Sequence, residues 1–337
     1  MFSNCDLLSL NRTEIADILA QNGQPAYRAG QLFSWLHAKN VFSPAGMTNL
    51  PKAVTSGIEL HMPTVAARQV SSDRTTKYLY RFADGNSVET VAMFYEHGMS
   101  ICVSTQAGCR MGCAFCASTK NGLARSLTAG EMLAQVYLTA LDQGQRADSI
   151  VLMGSGEPLD NFDNVLRFYE LVTCKEGYAL ANRSVSLSTC GVVPKMYELA
   201  DRRLPLTLSV SLHAAFDDKR SELMPINRAY PIRELMAACR YYSEKCGRRI
   251  SFEYAVIDGA NNTRRDAEQL VRLLSGFPAH VNLIPINSGG GFAAQGRAAA
   301  KAFCELLVSL GLTATVRRTL GADIDAACGQ LRSRYIE

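Results

Sequence analysis

From about residue 99 the chain alternates between strand-like and helix-like stretches, and this alternation limits its possible folds more than any other feature. Strand candidates are "MSICVST", "DSIVLMG", "RSVSLST", "LTLSVSLH", "RISFEYAVI", "HVNLIPIN" and "TATVRR". Helical stretches such as "TAGEMLAQVYLTALDQG", "NFDNVLRFYELVTC", "IRELMAACRYYSEKCG" and "GRAAAKAFCELLVSLG" lie between them. A series of this kind builds a parallel sheet, either open and doubly wound or curled into a barrel. Strand polarity separates the two. Leu204, Leu206, Leu208, Val210 and Leu212 alternate with Thr207, Ser209, Ser211 and His213, and Ser184, Ser186 and Ser188 stand opposite Val185 and Leu187. A doubly wound sheet has helices on both faces and is apolar on both. Small hydroxyls on one face suit a barrel whose lumen holds a polar ligand, with the site where the strands end. The expected fold class is α/β, a partial parallel barrel.

Two shorter regions precede the barrel. Residues 1–62 read as small helices: "RTEIADILAQNG" puts Ile15, Ile18 and Leu19 on one face, and "RAGQLFSWLHAKN" repeats the pattern with Leu32, Phe33, Trp35 and Leu36. Residues 63–98 read as a β-rich connector, with period-two apolar positions on either side of an "ADGNS" turn. The first residues carry Asp6, Arg12, Glu14 and Asp17, so neither a secretory signal nor a membrane span is expected, and the cytoplasm is the expected compartment. There, eleven cysteines should be thiols, metal ligands or catalytic groups and not structural disulfides. The net charge of +4 is too weak to argue for nucleic acid by itself. The pairs Arg202-Arg203, Arg248-Arg249, Arg264-Arg265 and Arg317-Arg318 read mostly as solvated loop ends.

"GCRMGCAFCAST" places Cys109, Cys113 and Cys116 in a C-x3-C-x2-C spacing just after the first barrel strand. Structural zinc takes four protein ligands, usually from two C-x2-C pairs. Three thiols without a fourth in the loop fit better a [4Fe–4S] cluster whose remaining iron is open to a small molecule. "VLMGSGEPLDNF" ends a later strand with Gly154, Gly156, Glu157 and Pro158. It lacks both G-x-G-x-x-G and G-K-[ST], so as a phosphate loop it is weak. Near the terminus, "GADIDAACGQL" holds Cys328 among small residues with no stripe of large apolar ones.

These motifs, together with "ICVSTQAGCRMGCAFCAST", "LMPINRAY", "GRRISFEY", "HVNLIPIN" and "DIDAACGQL", resemble the RlmN/Cfr family of radical SAM RNA methyltransferases over nearly the whole chain. The resemblance implies a partial (β/α)6-type barrel over residues 99–320 and a C-terminal segment, 321–337, that carries a catalytic cysteine. It implies one [4Fe–4S] cluster on Cys109, Cys113 and Cys116, and two S-adenosylmethionine molecules per turnover. The cofactor pocket would be formed by Gly156 and Glu157, which would hold the methionine ammonium, with Ser188, Ser211, Leu212, His213 and Asn287. Cys328 would carry the methyl group as S-methylcysteine, Glu89 would be the general base, and Cys102 would resolve a protein–RNA crosslink by forming a disulfide. The implied substrate is an adenosine of 23S rRNA, with adenosine 37 of tRNA as a second candidate. The implied electron donor is a low-potential protein such as flavodoxin or ferredoxin. "GEPLDNF" and the second aspartate of "DIDAACGQL" favour methylation of adenine C2 over the Cfr-type C8 product, although the Ser288–Ala300 loop departs from the RlmN pattern. The non-enzymatic alternative is a metal-stabilised RNA-binding protein.

Overall fold

The computed structural model describes residues 1–2, 5–285 and 297–324. An asparagine ahead of an apolar helical stripe is a start signal. Accordingly, Asn11 Oδ1 accepts the Glu14 N–H at 3.0 Å, the Glu14 carboxylate accepts the Asn11 N–H at 2.7 Å, and the helix Arg12–Gln21 follows. Ile15 and Leu19 are its buried residues. A second helix, Tyr27–Phe33, runs on into a wider turn over Ser34–Ala38. Its Leu32, Phe33 and Leu36 join the same hydrophobic core as the barrel strands, so the N-terminal helices are packed onto the barrel.

That junction contains a buried imidazole. His37 Nδ1 lies 2.8 Å from the Tyr137 hydroxyl, and burial lowers the His37 pKa to about 3. The folded protein therefore leaves His37 neutral down to about that pH, while the unfolded chain protonates it below about 6.5. Stability is full above that ordinary value and is lost as pH falls towards 3. By pH 4.5 the loss from this group is about 3 kcal/mol, at about 1.4 kcal/mol per pH unit. Melting temperature followed from pH 7 to 4.5 should show this loss, and His37→Gln should flatten it. An equally steep acid loss in His37→Gln would place the cause elsewhere.

Twelve strands lie among the described residues: β1 (Thr64–Val70), β2 (Thr76–Arg81), β3 (Ser87–Tyr95), β4 (Gly98–Cys102), β5 (Gln106–Gly108), β6 (Leu123–Ser126), β7 (Ser149–Leu152), β8 (Val185–Thr189), β9 (Thr207–Ser211), β10 (Ile250–Val256), β11 (Ala279–Pro285) and β12 (Ala314–Val316). Ten form one sheet in the order β1-β2-β3-β4-β7-β8-β9-β10-β11-β12, while β5 and β6 pair separately. Within that ten-stranded sheet the first four strands are antiparallel and every pairing from β4 to β12 is parallel, while β5 and β6 pair antiparallel. The β-rich connector thus continues the barrel sheet at its leading edge. Helices such as Ala129–Gln143, Phe162–Thr173, Val193–Arg202 and Ile232–Cys246 follow the parallel strands and cover their apolar face.

The other face is polar, as the alternation predicts. Val185 and Leu187 are buried in the core while Ser186 and Ser188 are only half-buried. The same alternation orients β2. Tyr78 and Tyr80 reach the helix Ala129–Gln143, where they bond Asp142 at 2.5 Å and Thr139 at 2.9 Å, so Lys77 and Leu79 face the opposite way. No helix among the described residues is long and apolar enough to cross a membrane.

Candidate active site

The three-cysteine loop leaves β5 at the carboxyl end of the parallel strands. Gly112 gives it a left-handed turn, φ +71°, with the Pro225 ring 3.4 Å from where a Cβ would stand. The loop is tied down at several points. The Cys109 N–H donates to the Gly122 carbonyl at 2.9 Å, the Ala114 N–H to the Leu223 carbonyl at 2.9 Å, and the Thr119 hydroxyl to the Cys116 carbonyl at 2.9 Å. Burial pushes the Cys109 thiol up to about 12 and raises Cys113 well above the ordinary range, and in both the neighbouring cysteines add to the effect. Thiols held this way become thiolates when a strongly positive centre takes them as ligands. Sulfurs on a single tetrahedral zinc sit about 3.8 Å apart, given Zn–S near 2.3 Å. A cubane takes each thiolate on a different iron, and three cysteines on one tied-down loop are the donor set it takes.

The glycines beside Glu157 are required by crowding. A Cβ on Gly154 would stand 2.6 Å from Ser104 Oγ, and one on Gly156, at φ +105°, would stand 2.6 Å from Gln106 Cβ. Glu157 is buried behind them. Its carboxylate accepts the Cys190 N–H at 2.7 Å and the Leu159 N–H at 2.9 Å, and its own N–H donates to Gln106 Oε1 at 2.9 Å. Burial raises its pKa, while the two amide bonds act to lower it. The side chain therefore braces the ends of β7 and β8 together.

Ser188 lies on the polar face of β8, and Ser211 ends β9. Leu212 is fully buried. His213 follows in a left-handed conformation, φ +56°, uncommon for a residue with a Cβ. Its Nδ1 accepts the Ala255 N–H at 2.9 Å, and burial, with the nearby Arg220 charge, lowers its pKa to about 3, so the ring is neutral. Phe115, from within the cysteine loop, packs edge-on against this ring with centroids 4.7 Å apart. The fold thus brings the cysteine loop, the Gly156–Glu157 turn and the β9 end together. Asn287 and Cys328 lie outside the described residues.

On the antiparallel side, Val91 of β3 pairs with Cys102 of β4 and with Lys77 of β2, while Glu89 pairs with Leu79. Strand alternation then puts Lys77, Glu89, Val91 and Cys102 on one face. Cys102 is buried in a small cluster with Val91, Met93, Val151 and Met153. Glu89 is held through its backbone, whose carbonyl accepts the Ser104 hydroxyl at 2.6 Å. Its carboxylate lies 3.8 Å from Lys77 Nζ. No disulfide occurs among the described residues, and the expected partner of Cys102, Cys328, lies outside them. The turn between β1 and β2 grips the chain that leads towards Cys328. Gly321 N–H donates to Asp73 at 2.9 Å, Ser72 N–H to Asp323 at 3.1 Å, and the Ser71 hydroxyl to Asp323 as well.

Three features were not anticipated from sequence. Arg220, fully buried, donates to the carbonyls of Leu212, Cys190 and Ser211 at 3.2, 2.8 and 3.1 Å and to Asn227 Oδ1 at 2.8 Å, fastening the ends of β8 and β9. Glu253 faces the lumen from β10, takes a bond from Asn282 at 2.8 Å and lies 3.9 Å from Arg317. Arg317 is therefore no solvated loop end, as its pairing with Arg318 suggested. Lys77 is the third. The only available signal was a cation at a lumen-facing position of a period-two strand.

A sequence model of the Radical SAM superfamily matches residues 103–274, and one of the ribosomal RNA large subunit methyltransferase N-terminal domain matches residues 5–61. A probable dual-specificity RNA methyltransferase RlmN of Clostridium perfringens is 47% identical over 98% of both chains. That of Clostridium tetani is 44% identical over 100% of this chain and 98% of its own. The crystal structure of a radical SAM methyltransferase from Sphaerobacter thermophilus superposes with a TM-score of 0.93 at 42% identity, covering 97% of this chain and 98% of the other. With full-length likeness at this level and a cysteine loop built for an iron–sulfur centre, the chain belongs to the RlmN family of radical SAM RNA methyltransferases.

Proposed function

We propose that the protein methylates C2 of an adenosine in 23S rRNA, and adenosine 37 of tRNA as a second substrate, through a methyl group carried on Cys328. The observation that carries this reading is the shared face of β2, β3 and β4. A carboxylate and a thiol stand there side by side, at the edge of the barrel where the turn before β2 holds residues 321–323. An electron-poor carbon between two ring nitrogens cannot attack the methyl of S-adenosylmethionine, so the methyl must reach it as a carbon radical. When bound by Cys109, Cys113 and Cys116, a [4Fe–4S] cluster supplies the electron that cleaves S-adenosylmethionine to a 5′-deoxyadenosyl radical.

The remaining roles belong to the chain. Cys328 accepts a methyl from a first S-adenosylmethionine, and transfer of one hydrogen atom from that methyl to the 5′-deoxyadenosyl radical leaves a carbon radical that bonds to adenine C2. Rearomatisation requires the adduct to lose one electron, which a cluster held by Cys109, Cys113 and Cys116 would accept, and one proton, which Glu89 takes from C2. Cys102, as thiolate, attacks the Cys328 sulfur. The S–S bond forms as the carbon–sulfur bond breaks, its electron pair leaves with the methylene carbon, and a proton completes the methyl. A thiol reductant then returns the two cysteines. Gly156, Glu157, Ser188, Ser211, Leu212, His213 and Asn287 would line the cofactor pocket. A low-potential flavodoxin or ferredoxin would feed the site, and the N-terminal helices would grip folded RNA by shape and phosphate.

The test is direct. Reconstituted protein, S-adenosylmethionine, a reductant and unmodified 23S rRNA or tRNA are incubated together, and the RNA is digested and analysed by mass spectrometry. The expected product is 2-methyladenosine. Finding 8-methyladenosine, or no modified adenosine in either RNA, overturns the reading.

A further inference from the structure

Burying a lysine in a strand interior is costly unless a partner offsets the lost hydration. Lys77 is such a case. Its side chain is only 9% exposed, Glu89 beside it is 3% exposed, and the two form an ion pair at 3.8 Å. Among the described residues this is the only ion pair Lys77 makes. Packing does not call for a cation there. Leu79 on the same strand, Val91 directly opposite, and Val151 and Met153 next along fill the same face with apolar groups, so a leucine or methionine would complete the layer. The backbone fixes the arrangement. Lys77 and Glu89 are diagonal neighbours across the β2–β3 ladder, and Cys102 follows Val91 in line on β4, so ammonium, carboxylate and thiol occupy one patch.

We propose that Lys77 is a positioning residue of the reaction: it holds Glu89 as an ionised carboxylate turned towards Cys102, ready to receive the proton from C2. The inference rests on the reading of Glu89 as the general base. In an apolar cleft, a lone carboxyl takes up a proton and can accept no other. An adjacent ammonium keeps it charged. At 3.8 Å the contact is charge against charge and not a direct hydrogen bond. Lys77 thereby acts on the later half of the reaction, the step that frees the RNA. Radical generation rests on the cysteine loop, with which Lys77 shares no strand pairing or ion pair among the described residues, and should not depend on it.

Four variants test the proposal: Glu89→Gln, Lys77→Met, Lys77→Arg and the double Lys77→Met/Glu89→Gln. Each is assayed for 5′-deoxyadenosine formed, for methyl on Cys328, and for protein–RNA adduct on a denaturing gel. Glu89→Gln should form deoxyadenosine and methylated Cys328 normally and accumulate adduct. Lys77→Met should do the same with Cys102 intact, releasing RNA about 10- to 100-fold more slowly, up to the lower end of the range general-base catalysis supplies. Lys77→Arg should recover release to within about tenfold of the unsubstituted protein. The double variant should be no slower than Glu89→Gln, because the two residues serve one step. If Lys77→Met fails to fold, Lys77→Gln carries the same expectation, and the double variant, with both charges removed, remains interpretable. Normal release in Lys77→Met while Glu89→Gln stalls overturns the proposal, as does loss of deoxyadenosine formation in Lys77→Met. Normal release in Glu89→Gln instead overturns the assignment of the base.

Discussion

Replacing Cys113 with alanine should leave a colourless protein that binds no stoichiometric iron, makes no 5′-deoxyadenosine and methylates no RNA. Cys113 is the middle thiol of a loop held at both ends, by Cys109 N–H on the Gly122 carbonyl and by Thr119 on the Cys116 carbonyl, so no neighbour can slide into its place. The described residues offer no substitute ligand of the right kind. Cys190 is near enough to couple electrostatically with Cys113, but it sits at a strand end pinned by Glu157 and Arg220. Two thiolates cannot retain a cluster that needs three, and the chemistry of the site depends on it. A control is available in Cys304, on the helix Arg297–Ser309 away from the loop, whose alanine variant should keep iron and colour. Iron analysis of anaerobically reconstituted protein, with deoxyadenosine measured by chromatography, settles the matter. Full iron content in Cys113→Ala, or stoichiometric zinc in the unsubstituted protein, would sink the assignment.

What the sequence could and could not disclose follows from distance along the chain. Cys109, Cys113 and Cys116 lie within eight residues on one loop, so their common purpose is visible as a spacing. The hydroxyl face of β8 and β9 shows as a period of two, because alternation is a property of a single strand. Lys77, Glu89 and Cys102 come together only through the β2–β3–β4 register, and no local pattern encodes which residue of one strand lies opposite which of the next. Arg220 is hidden for a similar reason. Its partners are backbone carbonyls, which every sequence supplies. Nothing local sets Arg317 apart from the other arginine pairs, most of which read as solvated loop ends, yet it points at Glu253. The grip of Asp73 on Gly321 joins positions 248 residues apart.

That grip bears on the Cys102→Ala variant, which should accumulate a covalent protein–RNA adduct, whereas Cys328→Ala should give none. Cys102 is a rigid thiol: it ends a strand paired on both sides and is packed by Val91, Met93, Val151 and Met153. A group fixed in this way cannot travel, so any exchange with Cys328 must be made by motion of the other partner. Asp323, anchored through Ser71 and Ser72 to the turn before β2, stands five residues ahead of Cys328, on the same edge of the barrel as Cys102. Five residues of chain span at most about 18 Å, which bounds how far Cys328 can lie from that anchor. Without the Cys102 thiol nothing attacks the Cys328 sulfur, and the carbon–sulfur bond to the RNA persists. Without the Cys328 sulfur no such bond forms. Both variants, expressed with ribosomal RNA and run on denaturing gels before and after nuclease digestion, separate the two roles. An adduct missing from Cys102→Ala, or present in Cys328→Ala, would show that the methyl travels by another route.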